Sequence, residues 1–385
     1  MPAPRPAASR PKLLFLVTED WYFCSHRLPV ARAARDDGFE VVVATRVRAH
    51  GAAIRSEGFA LRPLLWRRRG DGVFGTLRAI AAIARLYHAE RPDIVHHVAL
   101  KPVLLGGLAR RLAFPTGVRS VQLASVMGLG SGFSERRLGA RLRRPLLRLA
   151  LRLAVGGGHV IVQNPEDRAV LASLGIAASR IALIRGSGVD IDHFKPLPEP
   201  PAQPVTVAFV SRMLRGKGVE EAVAAVRLLR ARGLAVELLL AGPTDPDNPG
   251  SLTPEELRSL AAGSGIAWLG PVADVREVWR RAAIAVLPST YGEGVPKTLL
   301  EAAACARPIV ATNVAGCREV ARADETGLLV PPHDVPALAE AIATLAGDPV
   351  RRHALGTAAR ALVEREFGEG IVARQTLALY RQLIY

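Results

Sequence analysis

Cysteine, aromatic residues and long uncharged runs are all scarce in this chain. Of its 385 residues only three are Cys, at positions 24, 305 and 317. An odd count without metal-ligand spacing argues against a disulfide framework and for a reducing cytoplasm. Phe, Trp and Tyr together make up 5%. They form no platform on which bases could stack, and neither a helix-turn-helix pattern nor a zinc spacing is present. Nucleic acid is therefore not an expected partner, although the net charge is +16. No run of 18 residues is free of charge. The nearest, Leu146 to Val162, is broken by Arg148 and Arg152, so no membrane-spanning helix is expected. Residues 1–11 are rich in Pro and Ala, lack the apolar segment of a signal peptide, and read as a disordered lead-in.

What is present is an apolar share of 49%, with 35 Gly and 28 Pro. That composition suits substantial cores joined by many tight turns, and the length suggests two domains. The charge is placed unevenly. Residues 1–200 hold 31 Lys+Arg against 15 Asp+Glu, whereas residues 201–385 hold 20 of each. The excess is nearly all Arg. It reads as a face for an anionic bilayer or lipid carrier, or as the bias of an Arg-rich, Ala-rich composition. PLPEPPAQP, Pro196 to Pro204, is a stiff linker by its proline content. The expected organisation is an α/β domain over 12–195, the linker 196–204, a second α/β domain over 205–366, and a terminal helix over 367–385.

The chain is organised around Pro288 to Val320. The apolar run Ala282 to Leu287 reads as a buried strand, and a Pro-Ser-Thr-Tyr-Gly loop follows it. Gly294-Val295-Pro296 then opens a helix, since Pro suits a first turn that needs no N–H partner. Pro308 to Asn313 is the next strand, and Gly316 begins another turn. Strand, loop, helix, strand is the unit of a parallel sheet, whose ligands sit at the strands' C-terminal edge. Backbone N–H groups at Gly294, Val295 and Thr298 suit a phosphate. Glu301, about a turn into the helix, suits vicinal hydroxyls, and Glu293 sits in the loop before it. By spacing alone, two glutamates eight apart are ordinary surface charges. The Gly-Glu-Gly-Val-Pro context after a buried strand argues otherwise.

The E-x7-E pattern of GEGVPKTLLE, with the PIVAT strand and AGCREV turn after it, resembles the donor signature of the family 4 glycosyltransferases. SRMLRGKGV resembles that family's Arg-x4-Lys phosphate-binding segment, and LLLAGP and IAWLGPVADVREVWRRA resemble its neighbouring strands. The resemblance covers nearly the whole chain. It implies the GT-B fold, two Rossmann-like α/β domains facing each other across a cleft, and retaining transfer from a nucleotide sugar, most readily a UDP-sugar. It implies that Arg212 and Lys217 neutralise the departing diphosphate without a metal, that Glu301 holds the ribose, and that Gly270 lies beside the base. Glu293 and the backbone of Gly294 to Pro296 would hold the sugar hydroxyls. No cofactor is implied. Asp190-x-Asp192 resembles the interdomain Gly-Val-Asp…Phe segment rather than a metal motif, and Asp245-x-Asp247 lies in a turn-rich loop, so no metal site is expected.

The first half departs from many relatives. Its first loop, expected over Thr18 to Ser25, has no Gly and carries Trp21, Tyr22 and Phe23, with His26 and Arg27 after it. Ser125 to Phe133 contains Gly128 and Gly130 but no His, which puts a His-dependent mechanism in doubt. Both features resemble a subgroup that builds lipid-linked bacterial glycans on undecaprenyl diphosphate. His26, Arg27, His97, Lys101, Gly128 and Gly130 are the candidate acceptor contacts. Loop packing accounts for the aromatic cluster equally well. Two adjacent His on a strand point to opposite faces, so His96 is expected buried and hydrogen-bonded where His97 meets substrate.

Arg136 to Val155 carries seven Arg and no acid. Leu142, Leu146, Leu149 and Leu153 recur at helical spacing, with Pro145 expected to start or kink the helix. This is a candidate membrane helix, with Arg141, Arg143, Arg144 and Arg148 on its cationic side; a core-packed helix with an Arg-rich outer face is the alternative. Trp66 beside Arg67, Arg68 and Arg69 suits a membrane interface or a solvated loop. The expected activity is transfer of a hexose or N-acetylhexosamine to a lipid-linked saccharide, by an enzyme peripheral on the inner face of the cell membrane. A soluble acceptor, or an idle glycan-binding scaffold, remains the alternative.

Overall fold

The computed structural model describes residues 10–66, 72–114, 120–128, 138–201, 203–263 and 265–384, leaving aside the side chains of 138–144. The chain forms two compact units. One contains residues up to Ser187 together with Glu369–Tyr385, and the other is Gly188–Gly368.

The first unit is built on a parallel sheet of β1 (Lys12–Glu19), β2 (Glu40–Arg46), β3 (Ala60–Pro63), β4 (Ile94–Val98), β5 (Val121–Val126), β6 (His159–Val162) and β7 (Ile181–Leu183), in the order β3-β2-β1-β4-β5-β6-β7. Helices cover both faces, which is why β1 reads as a continuous apolar run rather than an alternating one. Leu13, Phe15 and Val17 enter one core while Leu14 and Leu16 enter the core on the opposite face. The order reverses between β1 and β4, where a doubly wound sheet opens at its C-terminal edge. β3 carries Pro63 and is an edge strand, where a missing N–H is tolerated.

The last helix of the chain, Glu369–Ile384, completes this unit. Its Val372, Ala373 and Tyr380 are buried with Phe15 and Phe39, and Arg381 pairs with Asp37. Tyr380 also closes on the sheet through its hydroxyl, 2.6 Å from His96 Nδ1.

The second unit has a parallel sheet of β8 (Val205–Val210), β9 (Val236–Ala241), β10 (Ile266–Trp268), β11 (Ile284–Leu287), β12 (Ile309–Thr312) and β13 (Gly327–Val330), ordered β10-β9-β8-β11-β12-β13. Its reversal falls between β8 and β11. A single buried cluster runs through this unit.

Several local expectations are corrected. Thr18 to Ser25 is not a loop: β1 continues to Glu19 and the helix Asp20–His26 follows at once. Asp20 locks that entry by accepting from the backbone N–H groups of Arg48 and His50 at 2.6 and 2.9 Å. Pro145 does not start its helix but lies inside it, the helix running from Leu138 to Val155. Pro296 is the capping residue of Lys297–Ala304 rather than part of its first turn, and Gly316 lies in a short helix, Ala315–Val320. The segment 196–204 belongs to the second unit. Arg307 donates to the carbonyls of Leu197 and Pro198 at 3.3 and 2.8 Å, and Arg352 pairs with Glu199, so this proline-rich stretch is pinned to the surface.

Candidate active site

In the second unit the strands β8 and β11 end side by side, and each leads into a short turn. After β8 come Ser211, Arg212 and the 3-10 turn Arg215–Lys217, then Gly218 and the helix Val219–Ala231. Gly218 has φ +83°, and a Cβ there would lie 2.1 Å from the carbonyl oxygen of Pro288. Glycine thus lets the two turns touch. Thr290 N–H donates to the Gly216 carbonyl at 3.0 Å, joining them further.

That contact brings Lys217 to Glu293. The Lys217 ammonium pairs with one oxygen of the Glu293 carboxylate, and the Ser289 hydroxyl donates to the other. The two side chains are only 16% and 9% exposed. Ser289 is itself held, because its carbonyl accepts from the Thr312 hydroxyl. From behind, the helix Ala315–Val320 presses on the Gly294 turn. A Cβ on Gly316 would fall 1.6 Å from the Gly294 carbonyl oxygen, so no other residue fits. Arg212 turns to Asp245 and pairs with it. The structure thus brings Lys217 and Glu293 together, and each of the two expected cations holds a carboxylate of the protein.

Glu301 is half-buried on the helix Lys297–Ala304. Burial raises its carboxyl to about 7, which the Lys297 ammonium partly offsets. Thr298 Oγ1, at the start of the same helix, is buried without a hydrogen-bond partner. Val295 and Pro296 are buried beside it. Gly270, just past β10, has φ +69°, and its carbonyl accepts from Gly242 N–H at 2.8 Å. The residues not anticipated are the supports: Ser289, Thr312 and Asp245. Ser289 lies in the loop already singled out, whereas Thr312 and Asp245 reach the site from separate strand ends. Asp190 is used locally, its carboxylate accepting from the N–H groups of Asp192 and His193 at 3.0 and 2.9 Å.

The candidate acceptor residues of the first unit divide. His26 is half-buried, stacked on Tyr22 at 4.1 Å, and bonded to Ser25. Lys101 is half-buried with its ammonium 5.5 Å from the centre of the Trp66 ring. Gly128 turns the chain with φ +80° after β5; Gly130 lies outside the described residues. His97 is corrected: it is fully buried, its Nε2 2.8 Å from the Tyr87 hydroxyl, and burial lowers its imidazole to about 3. The helix Gly72–Glu90, which supplies Tyr87, covers the face His97 points to. His96 is buried as expected, with both ring nitrogens engaged by Tyr380 and Ser125. Arg27 is buried too, at 2% exposure.

Trp66 is a second correction. It is 3% exposed and donates to the Thr18 carbonyl at 3.2 Å, so it is not at a membrane interface; Arg67 to Arg69 lie outside the described residues. On the helix Leu138–Val155, Leu151, Ala154 and Val155 face the core, whereas Leu146, Leu149 and Leu153 are 69%, 54% and 45% exposed. Arg148 is exposed with them, and the side chains of Arg141, Arg143 and Arg144 lie outside the described residues. The helix Leu100–Ala113 packs beside it and Gly72–Glu90 beside that. These helices expose Leu112, Phe74 and Leu77, which no sequence pattern had marked. Among the described residues no helix is long and apolar enough to cross a membrane.

Residues 12–164 match the family model described as glycosyl transferase 4-like, and residues 204–348 match that of the glycosyl transferases group 1. The chain is 27% identical, over 93% of its length and 95% of the relative's, to the N,N'-diacetylbacillosaminyl-diphospho-undecaprenol alpha-1,3-N-acetylgalactosaminyltransferase of Campylobacter jejuni. Sucrose-phosphate synthase from Thermosynechococcus elongatus superposes with a TM-score of 0.80 at 25% identity, over 97% of this chain and 99% of that one. HepE of Anabaena, solved with UDP and glucose, superposes with a TM-score of 0.74 at 17% identity, over 97% of this chain and 100% of that one.

Proposed function

Because the chain belongs to the family 4 glycosyltransferases, with the GT-B fold, we propose that it moves a hexose or N-acetylhexosamine from a UDP-sugar to a lipid-linked saccharide, with retention, in bacterial surface-glycan synthesis. The observation that carries the donor half is the Lys217–Glu293–Ser289 cluster beside Arg212 at the reversal point of the second sheet. A diphosphate arriving there displaces the two protein carboxylates from Lys217 and Arg212. The cations then stabilise the charge that develops on the leaving group. Glu293, released from Lys217, accepts from sugar hydroxyls, and Glu301 accepts from the ribose. The amides at Gly294 and Val295, the Thr298 hydroxyl and the backbone at Gly270 complete the donor contacts.

The transfer balances within the two substrates. The acceptor hydroxyl oxygen bonds to the anomeric carbon as that carbon's bond to the diphosphate oxygen breaks, and the hydroxyl proton passes to the departing diphosphate. Attack on the face the leaving group vacates gives retention. The protein supplies position and charge and needs no nucleophile.

The acceptor half is supported by two observations. The Campylobacter relative, by its name, acts on a diphospho-undecaprenol saccharide. The exposed Leu146, Leu149 and Leu153 share a helix with five Arg and no acid in its sequence, which suits a peripheral position on the inner membrane face. The test is UDP release over a panel of UDP-sugars, with and without a polyprenyl-diphosphate sugar. Release that requires both one UDP-sugar and the lipid acceptor is expected. Release with a soluble sugar instead would replace the lipid-linked acceptor, and no release with any pair would leave a glycan-binding scaffold.

A further inference from the structure

The buried Arg27 is unlike the other buried arginines of the chain. Arg307 and Arg352, at 2% and 3% exposure, are each satisfied by backbone carbonyls, and Arg352 by Glu199 as well. Arg27 is equally buried, yet no carboxylate or carbonyl receives its guanidinium among the described residues. Its Nε has no hydrogen-bond partner, and its Nη2 meets only the thioether sulfur of Met127. A buried cation without an anion is costly, and such groups are ordinarily paired. An orphaned buried donor marks a missing partner.

The surroundings indicate where that partner belongs. Met127 follows β5 and Gln163 follows β6, at the C-terminal edge of the first sheet, while Arg27 lies just beyond the helix that follows β1. Gln163 Nε2 also points to Met127 Sδ, at 3.4 Å. Two strong donors from separate elements thus converge on one of the weakest acceptors a protein has. An oxyanion at the sulfur's position would give Arg27 the partner it lacks and lie within reach of the Gln163 amide. Methionine is unbranched and has three rotatable side-chain bonds, so it can swing away without a backbone change. The next residue, Gly128, already turns with φ +80°.

We propose that Arg27 and Gln163 form an oxyanion site at this sheet edge, covered by Met127 when empty, and that it takes a phosphate of the acceptor's diphosphate. Assigning the oxyanion to the acceptor rests on the transferase reading above; the existence of the site does not.

The test is calorimetric titration of the full chain carrying Arg212→Gln and Lys217→Gln, which removes the second unit's phosphate-binding cations. The probes are farnesyl diphosphate, inorganic diphosphate and farnesol. Binding of the diphosphates but not of farnesol is expected, and adding Arg27→Met should weaken it at least tenfold. Tighter binding of the prenyl form points to the lipid carrier, and equal binding points to the phosphate alone; both support the site. Affinity unchanged by Arg27→Met overturns it, as does binding of farnesol equal to that of its diphosphate. Methionine fills the volume of an unpaired guanidinium without its charge, so this variant is expected to fold. Should it not, Gln163→Leu is read by the same criterion. Failure of every lipid acceptor in the UDP-release assay would sink the acceptor assignment and leave the titration to decide the site by itself.

Discussion

In the proposed transferase Glu293 joins stability to chemistry, and one substitution separates the two. Glu293→Gln keeps the Ser289 contact but leaves Lys217 without its counter-ion, at a cost of about 2–3 kcal/mol for a pair this shielded. Turnover should fall by about 10²- to 10³-fold, since an interaction with the reacting sugar is lost. Thermal unfolding and steady-state UDP release check the two numbers separately. A glycan-binding scaffold would show the first effect without the second.

Glu301 predicts a pH dependence with a definite sign. Burial raises its carboxyl to about 7 against 4.5 when unshifted, so between those values the native state binds more protons than the unfolded one. Its contribution to stability is therefore present at low pH and lost as pH rises through that window, on the order of 2 kcal/mol. Glu301→Gln should abolish this loss, which thermal unfolding at pH 5 and pH 8 would reveal. Donor affinity should run the opposite way in the native protein, strengthening from pH 6 to 8 as the carboxylate forms to accept the ribose hydroxyls. The buried His97 has the reverse linkage. Held near 3 against 6.5, it stays neutral in the native state while the unfolded chain protonates, so stability is lost as pH falls below 6.5.

Among the elements, the helix Leu138–Val155 has two faces with different tasks. Leu151, Ala154 and Val155 anchor it to the core, and the exposed Leu146, Leu149 and Leu153 are unused by the fold. Replacing those three by Ser should leave unfolding nearly unchanged but weaken sedimentation with anionic vesicles by tenfold or more. Replacing Arg141, Arg143, Arg144 and Arg148 by Gln should weaken it too, at about 1 kcal/mol per charge, and only at low salt. Unchanged sedimentation in both variants would leave the membrane proposal without support.

Legibility in the sequence was also uneven by element. β8, with six apolar or β-branched residues between a proline-rich stretch and an Arg-Gly-Lys turn, could be read to its ends. The short helix Asp20–His26 could not, because its fixing contacts are backbone groups of Arg48 and His50 some thirty positions away. The edge strand at Pro63 was hidden by its own proline. At the site, Glu293 stood out by its Gly-Glu-Gly-Val-Pro context after a buried strand, and Arg212 and Lys217 by their resemblance to the family's phosphate-binding segment. The pairing of Lys217 with Glu293 and of Arg212 with Asp245, and the bracing of Ser289 by Thr312 from the next strand, depended on tertiary contact. His97 misled because period-two alternation gives opposite faces without telling which face a helix covers.

At the scale of the whole molecule the charge asymmetry is a physical property in itself. With all the excess basic charge in residues 1–200, the proposed encounter with an anionic membrane would be steered by that half of the chain, and its rate should fall steeply with ionic strength. Stopped-flow vesicle binding at 50 and 500 mM salt would measure this. The helix Glu369–Ile384 is likewise a whole-molecule feature, since it brings Val372 and Tyr380 into a core otherwise made from the first two hundred residues.

That last dependence sets a schedule for biosynthesis. A ribosome delivers this chain from its N-terminus, so β1 through β7 emerge first, yet Phe15 and His96 remain without Tyr380 until the whole second unit has been read. The second unit, Gly188–Gly368, is contiguous and carries its own core, so it has all its parts before the first does. The nascent first unit must wait with an uncovered apolar face, the condition in which growing polypeptides recruit chaperones. A premature stop shortly before Glu369 would spare every residue of the proposed donor site and still leave the first unit without the helix that closes its core.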